Sequence, residues 1–341
     1  VIHHASGDSR PFASRSVRYR HPNFWLDLPA GESLEFLLRV QSQSSMQVPL
    51  VLYSPTAFIE SERDAQFSIG LYYGILLALF FYNLVLWLTI RDSSYFWYLF
   101  HISAFGMVLF CLNGLGFEYL WPRNTWLADK SVPLSIALAL IGMHQFARVF
   151  LELPLRWPRG NTVSIAAIAM FVAFGVAATM LPYRTIVPLL SLAVLVSIVW
   201  ISVVSIVVLR RDYAPARLFL LSWAMFLSGT AVFTLVAFGL LPKTFYTEYG
   251  VQIGSALEML FLSIALSYRY AALRNENERI VNEANQQLER KVAQRTQEVR
   301  STLVQLEEAH ARLRDSSRRD GLTGLDNRTW FHEAVEQMLL E

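Results

Sequence analysis

Cysteine is almost missing from this chain. A single residue, Cys111, lies inside an apolar run, so no intrachain disulfide can form and thiol usage marks no compartment. Charge is scarce too. Asp, Glu, Lys and Arg make up 16% of the 341 residues, against about 25% in an ordinary soluble domain. The net charge is +2, which gives no global attraction for nucleic acid and excludes it as an expected partner. No glycine-rich phosphate loop and no Gly-x-Ser-x-Gly nucleophile turn occur. His3-His4 have no second ligand pair at metal spacing and read as a solvated strand edge. The chain opens at Val1 without a basic or apolar leader and stops at Glu341 without a closing signal. Both ends are expected to be cut from a longer protein.

Apolar sequence is plentiful, at 54% of residues. It is gathered into seven stretches, at 67–90, 96–117, 131–151, 163–181, 186–209, 216–241 and 250–272. A helix needs about 20 apolar residues to cross a bilayer, and soluble helices are rarely apolar all round for that length. The breaks carry charge, proline or glycine, as at Arg91-Asp92, Pro154 to Arg159 and Arg210-Arg211-Asp212. Fold class follows as a membrane all-α protein with a seven-transmembrane helix bundle over 66–272. Arg91, Arg148, Arg156, Arg159, Arg210, Arg211 and Arg217 fall on one side; Arg123, Lys130, Arg184 and Lys243 fall on the other. The richer side is cytoplasmic by the positive-inside rule, which puts the N-terminus outside and the C-terminus inside. Arg269 at the end of the last stretch and Arg274 after it agree. Trp87, Tyr95, Trp97, Trp121 and Trp126 near segment ends suit interfacial aromatic belts.

Residues 1–65 are polar and read as β. Leu34, Phe36, Leu38 and Val40 alternate along Ser33–Val40, the period of a half-buried strand. Pro29 to Glu32 before it is a turn signal. Phe24–Leu28 and Val48–Tyr53 make two further strands. Three strands cannot close a core, so they are expected to be the C-terminal part of an extracytoplasmic β-sandwich.

Residues 273–319 turn to Glu, Gln, Arg and Asn with no Gly or Pro. Val292, Val299, Leu306 and Leu313 recur every seven residues, with Leu303 four after Val299. This is a coiled-coil seam, with Thr296 and His310 as polar core positions, and it predicts a homodimer.

Inside the membrane stretches, Asn83, Asn113, His144, Gln145 and Glu258 stand out, since polar groups there are costly and often functional. Glu258, with Asn83 and His144, is read as an intramembrane switch; the bland alternative is a constant interhelical hydrogen bond. His101 reads as interfacial. A light-driven retinal pump is excluded, because residues 250–272 contain no Lys for a Schiff base. A transporter would show paired broken helices and internal repeats, and none are seen.

The most specific string is Asp320-Gly321-Leu322-Thr323-Gly324-Leu325-Asp326-Asn327-Arg328. It resembles the signature that opens the GGDEF domain of diguanylate cyclases, matched at Asp320, Leu322, Thr323, Gly324, Leu325, Asn327 and Arg328. The resemblance implies that residues 320–341 start an α/β GGDEF domain, which makes cyclic di-GMP from two GTP with Mg²⁺. The residues present supply no catalytic, cofactor-binding or metal-binding position, since the family's metal aspartates and GGDEF loop lie downstream. Tyr72-Tyr73-Gly74, Tyr82-Asn83-Leu84, Tyr95 to Leu99, Asn113 to Gly116 and Gly254 to Met259 look like the bacterial seven-helix receptors with diverse intracellular signalling modules (7TMR-DISM). That resemblance implies a bacterial inner-membrane receptor whose periplasmic domain takes an unidentified small-molecule or carbohydrate ligand. Its alternatives are a receptor with a degenerate cyclase domain that binds cyclic di-GMP or a partner, and a sensor histidine kinase. The last needs a phospho-acceptor motif that neither His332-Glu333 nor His310 supplies.

Overall fold

The computed structural model describes residues 5–29, 31, 35–43, 48, 50–237, 240–242 and 244–340. They form two units, Val1–Tyr270 and Ala271–Glu341. Among the described residues, seven helices are long and apolar enough to cross a membrane. They are α1 (Pro55–Ile90), α2 (Ser93–Leu112), α3 (Thr125–Phe150), α4 (Pro158–Met180), α5 (Tyr183–Leu209), α6 (Pro215–Ala237) and α7 (Gly250–Arg318). A shorter helix, α8 (Arg328–Leu340), follows in the second unit.

Local chemistry sets the helix ends. Ser54 Oγ accepts from the Ala57 amide at 3.3 Å, and Pro55 takes the first helical position, where its missing N–H costs nothing. α1 therefore starts well before its apolar stretch. It ends at Arg91, whose φ of 61° closes the helix in the left-handed region. Asp92 then caps α2 by accepting from the Ser94 amide at 2.6 Å. Asn124 does the same for α3, accepting from Leu127 at 3.1 Å. α2 stops at Leu112, short of the expected 117, because Gly114 turns the chain at φ 78°. α4 begins at Pro158, earlier than the expected 163, again with proline in the first turn.

Burial separates central from peripheral helices. The apolar windows of α2, α3 and α7 are half buried, whereas those of α1, α4 and α6 are less than a fifth buried. α1 and α5 leave Leu77, Phe81, Val85, Leu192, Leu195 and Val199 exposed, as lipid-facing helices should. α3 is the hub, packing on α2, α4 and α5. The larger core joins Tyr72, Tyr98, Phe146, Ile201, Phe219 and Leu262, one from each of α1, α2, α3, α5, α6 and α7. A smaller core joins Ala137, Leu140, Phe171, Ile186 and Leu190 of α3, α4 and α5.

The expected strands are a correction. Among the described residues of 5–54 no β-ladder forms; Phe24–Leu28, 35–40 and 50–53 run as irregular chain. Trp25, Phe36, Leu38, Leu50 and Leu52 are exposed. A strand exists only by pairing, and three short segments with one apolar face do not supply the sheet that would cover it. Ala30, Glu32 to Leu34, Pro49, Lys243 and His3-His4 lie outside the described residues. The expected α/β start of a GGDEF domain likewise shows one isolated bridge, Arg319 to Asp326, ahead of α8.

α6 and α7 cross with their backbones nearly touching. A β-carbon on Gly229 would sit 2.3 Å from the Gly250 carbonyl oxygen and 2.8 Å from Gly254 Cα. Small residues permit such crossings, where dispersion rather than the hydrophobic effect holds membrane helices together. Gly229→Val is expected to cost about 1–3 kcal/mol by overpacking, read as a lower unfolding midpoint in detergent. Gly74→Ala, whose β-carbon would meet nothing within 4 Å, is the control and should leave the midpoint in place. Equal midpoints for the two variants would refute the close crossing.

Candidate functional site

α7 carries a polar line down one face. Ser255, Met259 and Ser263 follow one another by four residues, Glu258 follows Ser255 by three and Arg269 follows Leu266 by three, so they share that face. Ser255, Glu258, Met259 and Ser263 are buried. Each meets a group from another helix. Ser255 Oγ lies 3.3 Å from the Tyr72 hydroxyl of α1. The Tyr98 hydroxyl of α2 donates to the Met259 carbonyl. Asn83 Nδ2 of α1 donates to Ser263 Oγ at 2.9 Å and to the Leu79 carbonyl at 2.8 Å. Away from water, such pairings replace hydration that the chain cannot obtain.

Glu258 and His101 are the exception. Their side chains are 2% and 4% exposed, and Glu258 Oε1 lies 3.8 Å from His101 Nε2. That exceeds hydrogen-bond length. Oε1 and both ring nitrogens find no hydrogen-bond partner among the described residues. The interfacial reading of His101 is corrected. α2 starts at Ser93, so position 101 lies about 12 Å inside the helix at 1.5 Å per residue. Tyr95, read as a belt residue, is also buried. His144 sits elsewhere: its Nδ1 is 3.1 Å from the Leu140 carbonyl, and its ring meets Phe171 of α4 edge-on at 4.9 Å.

One turn below Leu266, Arg269 ties α7 to three loops. Its Nη1 donates to Ser94 Oγ at 2.6 Å and lies 3.4 Å from Asp92 Oδ2. Its Nε donates to the Tyr213 hydroxyl at 3.0 Å, and its Nη2 lies 3.6 Å from Glu152 Oε1. The Tyr213 hydroxyl in turn donates to the Phe150 carbonyl at 3.0 Å, and burial pushes its phenol up to about 12. Arg156 closes the ring, 3.0 Å from Glu152 Oε2 and 4.0 Å over the Tyr213 ring. Glu152 and Asp212 hold positive φ of 52° and 58°, the tight turns that bring these loops inward. A planar guanidinium with five donors fits this many-sided grip. The sequence offered Arg269 only as a topogenic charge, since Asp92, Glu152 and Tyr213 are remote along the chain.

At the opposite end, residues 11–21 clip onto the bundle. The Phe12 amide donates to the Pro122 carbonyl at 2.8 Å, and the Phe12 ring meets Phe117 at 5.5 Å. Arg15 lies 4.4 Å over the Phe12 ring, and Arg18 pairs with Glu118 at 3.4 Å. The Tyr19 hydroxyl bonds Glu62 of α1; burial, then that bond, pushes the phenol up to about 12. Burial and the neighbouring Arg20 and Arg15 hold His21 below the usual imidazole range.

In the second unit, the Asp320 string is a self-contained turn. Asp320 Oδ1 accepts from the Leu322 and Thr323 amides at 3.1 and 3.0 Å and from Thr323 Oγ1 at 3.0 Å. Gly324 supplies the φ of 71° that other residues resist. Asn327 Oδ1 accepts from the Trp330 amide at 2.9 Å and caps α8. Leu322, Leu325 and the seam residues Val292, Val299, Leu303, Leu306 and Leu313 are exposed. Arg328 begins α8.

Two family models match the chain. The model described as 7TM diverse intracellular signalling covers residues 65–269, and 7TMR-DISM extracellular 2 covers residues 1–54. No curated protein and no solved structure matches.

Arg269→Ala is expected to lower stability by about 2 kcal/mol, since hydrogen bonds to charged groups contribute roughly 1.5–3. Arg269→Lys should restore only part, because an ammonium cannot span Ser94, Tyr213 and Glu152 together. Asn83→Ala should cost about 0.6 kcal/mol, the usual worth of an interhelical membrane hydrogen bond. Thermal unfolding followed by circular dichroism separates these; an Arg269→Ala loss no larger than that of Asn83→Ala would remove the clamp reading. In the signature turn, hydrogen bonds from the Thr323 and Leu322 amides hold the Asp320 carboxyl below its usual range. Its contribution is therefore full above the ordinary carboxylate value and fades as pH falls through the lowered one. Asn327→Ala should cost about 1 kcal/mol of local stability, seen as faster amide exchange at the start of α8. Unchanged exchange would argue against the cap.

Proposed function

This chain belongs to the 7TM diverse intracellular signalling family of multi-pass transmembrane signalling receptors, and from that premise we propose that it relays an extracytoplasmic signal through α7 to a cytoplasmic diguanylate cyclase. The observation that carries this reading is the seventh helix. It is unbroken from Gly250 to Arg318, its first part holds the polar face and Arg269, and its end runs directly into the Asp320 turn. A helix is stiff along its axis, so a shift or rotation imposed in the membrane reaches residues far along the chain.

In this reading the domains are residues 1–65 as the end of a periplasmic sensor domain, 66–272 as the receptor bundle, 273–319 as the signalling helix and 320–341 as the cyclase start. The excess of Arg at the Arg269 end favours that end as cytoplasmic, in a bacterial inner membrane. The exposed apolar seam of Val292, Val299, Leu303, Leu306 and Leu313 favours a homodimer, since a second copy would cover it. Two catalytic domains brought together at that seam suit chemistry that joins two GTP. The Asp320 carboxylate is engaged in its own turn. In this reading the full cyclase domain uses Mg²⁺ and GTP, as the resemblance of the Asp320 string implies. The periplasmic ligand is of small-molecule or carbohydrate type, and contacts of residues 11–21 with α1 and the α2–α3 loop offer its route into the bundle.

Reading the gene past the codon for Glu341 is the first test. Metal aspartates followed by a Gly-Gly-Asp/Glu-Glu-Phe loop are expected. A degenerate loop would leave a receptor that signals by binding cyclic di-GMP or a partner, and would sink the enzymatic reading. In the full protein, Val299→Pro inserts a break of about 3 kcal/mol into the helix and should abolish the regulated cyclic di-GMP output measured in cells. An unchanged output would mean that α7 is not the relay.

A further inference from the structure

We propose that His101 and Glu258 form a buried proton site that holds one proton between α2 and α7, and that the position of α7 decides which residue carries it. The second half rests on the reading of α7 as the relay; the first half stands without it. The groups lie 3.8 Å apart, 4% and 2% exposed, and both ring nitrogens and Oε1 find no other partner among the described residues. The surroundings are apolar or neutral. From α3, Phe146 stacks on the His101 ring at 6.4 Å and 7°. Phe105 of the same helix as His101 lies at 6.3 Å and is itself backed by Phe226 of α6. The other titratable groups coupled to Glu258 are the hydroxyls of Tyr72 on α1 and Tyr98 on α2. Both already meet α7, at Ser255 and at the Met259 carbonyl, and phenols stay protonated at neutral pH. Among the described residues no third charged side chain pairs with either group.

Counting protons decides the state. With two, the pair is His⁺ and a neutral acid, net positive; with none, it is a neutral imidazole and a carboxylate, net negative. Either leaves an uncompensated charge in an apolar core, which is heavily penalised. With one proton the pair is neutral overall, as imidazole with carboxylic acid or as imidazolium with carboxylate. The two arrangements have the same proton count and exchange it by transfer between Oε1 and Nε2. They differ in geometry. The ion pair needs a charge-assisted bond of about 2.7–2.9 Å, roughly 1 Å shorter than the separation seen here. An approach of α7 to α2 on that scale moves the proton to His101, and a retreat returns it to Glu258. The two groups hold that one proton jointly, and its location follows α7.

The test uses the full protein in lipid bilayers between pH 5 and 9. Infrared absorption of the protonated carboxyl, assigned by its loss in Glu258→Gln, and ¹⁵N signals of His101 together count the protons. One proton throughout is expected. Independent groups would give a carboxylate with a neutral imidazole at pH 7, since their ordinary values are about 4.3 and 6.5; a count of zero there overturns the proposal. In Glu258→Gln, His101 should stay neutral over the whole range, and a His101 that still charges near pH 6.5 also overturns it. Releasing α7 with Arg269→Ala should change the intensity of the carboxyl band without changing the count. A band that does not move refutes the linkage to α7 while leaving the proton site standing, and cyclic di-GMP output plays no part in either result.

Discussion

The constraint behind this architecture is that an apolar bilayer offers no water to the polar groups of a helix. Ser255, the Met259 carbonyl and Ser263 on the buried face of α7 find their partners on α1 and α2, and the partners fix where α7 sits. Tyr72, Asn83, Tyr98 and Arg269 are thus positional devices as much as interactions. Individually, membrane hydrogen bonds are modest. Spread along about four turns of one face, they select one rotation of α7 over its neighbours, which packing of Leu and Val alone would specify weakly.

The two ends of the bundle serve that helix differently. At the Arg269 end, three loops converge on one guanidinium, and positive φ at Glu152 and Asp212 makes the convergence geometrically available. At the other end, Gly229, Gly250 and Gly254 let α6 and α7 touch backbone to backbone. A helix gripped by charge at one end and by close packing at the other can shift between arrangements only as a body. Between these grips lies the Glu258–His101 pair, a buried polar contact left at 3.8 Å, longer than a hydrogen bond. Such a spot leaves α7 a second arrangement, which a face with all its bonds made would not have.

Several features were legible in the sequence for plain reasons. Apolar length identifies the membrane helices, since about 30 Å of hydrocarbon admits nothing shorter. Helix ends are less legible: Ser54-Pro55 and Pro158 extend α1 and α4 into polar sequence, where capping rather than hydropathy decides. The strands of residues 24–53 were read from alternation, but alternation states only which face would be buried. Pairing needs partners, and no ladder forms among the described residues. Glu258 and Asn83 stand out because polar residues are rare in such stretches, whereas the apolar stretch at 96 conceals how deep His101 lies in a helix that begins at its Asp92 cap.

Repeated membrane crossing and the continuation of the last crossing as a charged helix are written in the sequence alone, and so is the Asp320 string, though not the turn it makes. Each of these is a local property, set by run length, composition or the order of residues. Which polar groups meet is a matter of the folded bundle. Asp92, Glu152, Tyr213 and Arg269 are far apart along the chain, as are His101 and Glu258, and nothing local links them. The fold brings them together because helices that bury polar groups must share them, and the choice of partner depends on the packing of the whole bundle.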